Sequence, residues 1–117
     1  MMEAKEIAKL AIEALSDKKG EEIRIIDISK VSVIADYFII ASGSNHNQVQ
    51  ALCDSVQEKL GKTGIFVKQV EGYDTANWIL MDFRDVIVHV FDKENRLFYD
   101  LERIWKDGTI LDAADFQ

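Results

Sequence analysis

Apolar residues in the first twenty positions recur at helical spacing. Ile7, Ala8, Ala11, Ala14 and Leu15 share one side of a helix expected over Glu3 to Lys19, with Lys18 and Lys19 at its negative end and Gly20 to stop it. Glu22 to Ile28 alternates as a strand. Asp36 to Ser42 is more evenly apolar, the pattern of a central strand covered on both faces. Val49, Leu52, Cys53, Val56 and Leu60 then line one side of a second helix ending near Gly61, where Asn45 can cap the first turn and Gln48 can reach back in a capping box. Ile65 to Val70 follows as a strand. A strand–helix–strand unit of this length crosses right-handed and leaves its strands parallel.

Asn77 to Phe83 and Val86 to Phe91 are so close in sequence that only an antiparallel hairpin joins them. Asp92 can cap a last helix with an apolar stripe of Leu97, Leu101 and Ile104, flanked by Phe98 and Trp105 and ended by Gly108. The order αββαβββα gives an α/β chain of the α+β kind, with a five-stranded mixed sheet and flanking helices. Three helices need not cover both sheet faces. The chain reads as one domain over 1–108 and a short, acidic, mobile tail over 109–117.

Composition narrows what such a domain does. The 117 residues are 48% hydrophobic and 30% charged and contain no proline, the profile of an ordinary globular chain. No apolar run approaches the roughly 20 residues of a membrane helix, and a single cysteine suits a reducing compartment, so the cytoplasm is expected. With 14 basic residues against 21 acidic ones, a net charge of −7 and no basic run, dominant direct binding of nucleic acid is disfavoured. A basic protein suits this surface better.

Catalytic chemistry is hard to find. Gly43-Ser44 between a strand and a helix is how a nucleotidyltransferase site begins, but the Asp-x-Asp pair such a site needs for metal is missing. An enzyme of that kind, the alternative reading, would have to draw on Gly43, Ser44, Asp36 and Asp82. His46 and His89 lie in no Cys–His–carboxylate cluster, which argues against a metal site. Cys53 sits on an apolar stripe as a small hydrophobe, and no Walker, Rossmann or nucleophile-elbow pattern occurs. No cofactor is expected. The hairpin is more informative, because Ile79, Met81 and Phe83 fall on one face and Trp78, Leu80 and Asp82 on the other. Either a helix covers that second face and the pair is core, or Trp78 and Leu80 stay wet and forgo about 1.5–3 kcal/mol each, which a partner could recover.

Three blocks, DYFIIASGSNHNQVQAL, EGYDTANWILMDFRDVIVHVF and RLFYDLERIW, together resemble the ribosomal silencing factors, the RsfS or Iojap-like family, over about Ala4 to Trp105. One departure is Arg84, where the family usually has glycine in the hairpin turn. The resemblance implies a nucleotidyltransferase-like fold without catalytic carboxylates and a factor that is not an enzyme. It further implies binding to the fourteenth protein of the large ribosomal subunit. Small-subunit joining is then blocked sterically, and translation falls when nutrients are scarce. It places the partner-binding face on Trp78, Leu80 and Asp82 with Tyr73 nearby, which favours the interface over the core, and it implies a homodimer when free.

Overall fold

The computed structural model describes residues 3–30, 33–98 and 109–112. The elements are α1 (Ala4–Asp17), β1 (Glu21–Asp27), β2 (Tyr37–Gly43), α2 (His46–Gly61), β3 (Gln69–Glu71), β4 (Trp78–Asp82), β5 (Val86–Asp92), α3 (Lys93–Phe98) and β6 (Thr109–Asp112). Of the apolar stripe expected on the last helix, the positions after 98 lie outside the described residues, as does Gly108.

The strands form one mixed sheet in the order β3-β4-β5-β2-β1-β6. Its central pair, β2 and β5, is parallel, and the neighbouring pairs are antiparallel. β2 and β3 therefore run in the same direction, as a helical crossover requires, but β5 and β4 lie between them. All five expected strands are present. A sixth joins them, because Thr109–Asp112 pairs antiparallel with β1, with Asp27 opposite Thr109 and Arg24 opposite Asp112. The expectation of a mobile tail after Gly108 is thus corrected for these four residues, whose backbone hydrogen-bonds to an edge with no local signal in the sequence.

β3 is shorter than expected. The ladder begins at Gln69 opposite Asp82, and the Lys68 N–H bonds the Asp82 carbonyl at 2.7 Å. Ile65 and Val67 pack against the core without strand pairing, while Phe66 is exposed. β4 turns away at Asp82, so those residues have no strand to meet.

Two apolar clusters lie on opposite faces of the sheet. On one face α1 and α2 cover Ile25, Ile39, Ala41, Ile79, Met81, Val88 and Val90. Ala8, Ala11 and Ala14 are fully buried and let the helices approach, and the Ser55 hydroxyl donates across the gap to the Ala14 carbonyl at 3.1 Å. Asn45 caps α2 by accepting from the Gln48 N–H at 2.8 Å. Gln48 reaches back to Ser44, accepting from its N–H at 2.7 Å, and donates to the Lys18 and Lys19 carbonyls beyond α1. The capping signal in the sequence therefore also ties the two helices together. The other face carries Ile26, Ile28, Ala35, Phe38, Ile40, Ile87 and Phe91, with Trp78 and Leu80 packed at the margin.

The β4–β5 turn shows what Arg84 does to the fold. Its φ is 75°, in the left-handed region that favours glycine, and its N–H donates to the Asp82 carboxylate at 2.7 Å. Arg84→Gly should therefore raise stability by about 1 kcal/mol, the size of the strain a Cβ brings there. Urea unfolding of both proteins measures it, and an unchanged midpoint would contradict the assignment of strain.

Candidate docking face on the β4 strand

β4 alternates as its sequence demands. Ile79 and Met81 are fully buried against the helices, and Trp78, Leu80 and Asp82 are half-buried on the opposite face. Trp78 and Leu80 are neither wholly exposed nor sealed in. They form the rim of the second cluster, where the sheet runs out towards its β3 edge.

Cross-strand register fixes the neighbours of this rim. Trp78 stands opposite Phe91, Leu80 between His89 and Glu71, and Asp82 between Ile87 and Gln69. The indole stacks on Phe91 with centroids 5.1 Å apart, and its Nε1–H donates to His89 Nδ1 at 3.1 Å. His89 is buried, and burial alone lowers its pKa from the usual 6.5 to about 4, so the ring is neutral. Glu71 and Gln69 are exposed, and the Gln69 amide donates to the Glu71 carboxylate at 2.6 Å. The rim is thus an apolar strip with carboxylates at Glu71 and Asp82, open to a partner that presents apolar and basic groups together.

The other sequence-derived residues fall in different places. Asp82 shares the Trp78 face, but its carboxylate already accepts the Arg84 N–H and so braces the hairpin. Tyr73 packs against the helix-side cluster instead. Its hydroxyl donates to the Asp54 carboxylate at 3.0 Å, a bond that raises the hydroxyl pKa, and its carbonyl accepts from Gln50 at 2.9 Å. It secures the loop that leads into β4. His89, Phe91, Gln69 and Glu71 were not singled out for this face from the sequence. For His89 and Phe91 the hairpin turn was the signal, since a turn centred on residues 84 and 85 sets Leu80 opposite His89; Gln69 and Glu71 arrive through the β3–β4 register, which no local turn fixes.

The enzyme alternative does not assemble from the residues named for it. Gly43 ends β2 and Asp36 immediately precedes it, so Asp36 and the Gly43-Ser44 turn lie at opposite ends of a seven-residue strand, about 20 Å apart. Asp82, across from Ile87 near the start of β5, is at the Asp36 end. A cleft of about 530 Å³ does open beside Ser44, lined by Asn45, His46, Asn47, Asp92, Lys93 and Glu94. Of its two carboxylates, Asp92 is committed, accepting from the Asn95 N–H at 2.8 Å and lying 3.4 Å from His46 Nε2. Cys53 is fully buried on α2, and burial raises its thiol pKa, so it is held as an unreactive thiol. Among the described residues no group of three His, Cys, Asp or Glu side chains is placed to hold a metal ion. Nor is any described helix long and apolar enough to cross a membrane.

The class defined by these features is an α+β protein with a helix-covered sheet face and a second face whose apolar rim reaches solvent. Comparison with known proteins sharpens that. The family model for "ribosomal silencing factor during starvation", RsfS, matches residues 1–117, and the chain belongs to that family. The ribosomal silencing factor RsfS of Bacillus subtilis is 42% identical over 95% of this chain and 94% of its own. A crystal structure of a Chromobacterium violaceum protein superposes with a TM-score of 0.87 at 44% identity, covering 90% of this chain and 88% of that one. One from Bacillus halodurans gives 0.82 at 36%, covering 92% and 97%. The family is regulatory and not enzymatic.

Proposed function

We propose that this protein silences ribosomes by docking on the large subunit through the Trp78–Leu80 rim. Its partner there is the subunit's fourteenth protein, and the bound factor occupies the surface on which the small subunit would join. Translation falls by exclusion, without chemistry, in the cytoplasm when nutrients are limiting. The single observation that carries this reading is the half-buried Trp78 and Leu80 beside the carboxylates of Glu71 and Asp82 on one sheet face. Ribosomal proteins are basic and rRNA is anionic, so an acidic ligand of net charge −7 is drawn to a ribosomal protein and held off bare RNA. A second copy of the chain could cover the same rim, which would make a free homodimer compete with the ribosome-bound state.

Co-sedimentation with purified large subunits tests the reading. Wild-type protein should pellet with them, and Trp78→Ala should bind roughly tenfold more weakly or worse, as loss of an aromatic anchor does. Equal pelleting of the two proteins would remove Trp78 from the interface. Absence of wild type from the pellet would remove the ribosome.

A further inference from the structure

His89 holds a buried polar ring in the second cluster at a cost that an apolar ring would avoid. Its Nδ1 accepts the Trp78 indole proton at 3.1 Å, so in the neutral ring the proton sits on Nε2. That Nε2 is buried and has no hydrogen-bond partner. A buried donor without an acceptor destabilises the fold, and a phenylalanine in the same space between Phe38 and Phe91 would carry no such penalty. What histidine adds over phenylalanine is the acceptor that meets the indole. The ring is itself held firmly, edge-on to Phe38 at 4.9 Å and nearly parallel to Phe91 at 6.4 Å, with an interplanar angle of 11°. Phe91 also stacks on the indole. Stacking sets the plane of Trp78, and the bond to His89 sets its rotation within that plane.

We infer that His89 is a positioning residue for docking: it presets the Trp78 indole so that the half-buried ring meets its partner in one orientation. The inference rests on the docking reading above. A preset anchor loses less side-chain freedom when it binds, and affinity gains by that difference.

The test combines subunit binding with the indole N–H resonance of Trp78, assigned by its disappearance in Trp78→Phe. In the wild type this proton should be shifted downfield and exchange slowly. A random-coil shift with fast exchange overturns the proposal without any histidine variant. His89→Phe should remain folded, lose the downfield shift and bind large subunits roughly fivefold more weakly or worse. His89→Asn, which places an oxygen near the Nδ1 position, should recover both the shift and much of the binding. If His89→Phe binds as wild type while Trp78→Ala does not, the docking face stands and the positioning role is lost. If Trp78→Ala also binds as wild type, the docking reading falls and the positioning role with it.

Discussion

Lowering the pH from 7 to 4 is expected to remove about 3 kcal/mol of folding stability through His89 alone. In the unfolded chain the imidazole takes up its proton near 6.5, whereas burial in the folded protein delays protonation to about 4. Between those values the unfolded state binds more protons than the folded one. The contribution of His89 is therefore complete above 6.5 and is lost progressively as the pH falls towards 4. Nδ1 must release the Trp78 N–H in order to accept the proton, which adds a local reason for the same direction. Urea unfolding at stepped pH, run on wild type and His89→Asn, isolates this residue from the carboxylates. The wild-type curve should fall faster than the variant's within that window. Parallel curves would show that the folded protein tolerates a charged ring at position 89.

Gly72→Ala should be about as damaging, at about 3 kcal/mol or more, because it combines a backbone penalty with a collision. Gly72 has φ +82°, and a Cβ built there would run into the carbonyl oxygen of Trp78. Neither side can retreat easily. The Gly72 carbonyl accepts from the Ala76 N–H at 3.0 Å, and Ala76 is fully buried with φ 55°. Trp78 is the first residue of β4 and is fixed by pairing with β5. Gly64 provides the control, since its φ is +86° but nothing lies within 4 Å of its Cβ position. Gly64→Ala should show the backbone penalty only, about 1 kcal/mol. Thermal unfolding of both variants separates the two effects. Equal losses would mean that the loop before β4 yields to the added methyl group.

Much of this fold could be read from local pattern. The alternation of Trp78 to Asp82 required two unlike faces, and the even apolarity of Tyr37–Gly43 required a central strand; both follow from the period of two along a strand. Asn45 and Gln48 marked the start of α2 because capping is a matter of a few adjacent atoms. What escaped was long-range. β6 pairs with β1 across most of the chain, and nothing in the letters TILD names that partner. β3 is shorter than its apolar pattern predicts because Ile65 and Val67 are apolar for the core's sake and not for a ladder.

The candidate site divided in the same way. Trp78 and Leu80 announced themselves by type and spacing. Tyr73 was placed beside them through resemblance, yet its hydroxyl serves the loop by way of Asp54. His89 carries no local mark of its contact with Trp78: it is buried and hydrogen-bonded on one nitrogen only, and placing it beside the indole takes the register of the hairpin.

The pairing of β1 with β6 also constrains how the protein comes into being. One flank of β1 is closed by a strand made more than eighty positions later. The central β2–β5 contact likewise spans about two-fifths of the chain, so distant encounters dominate the sheet and assembly should be slow for the length. A nascent chain of this protein leaves the ribosome with an edge still open, and seals it only after Thr109–Asp112 have emerged.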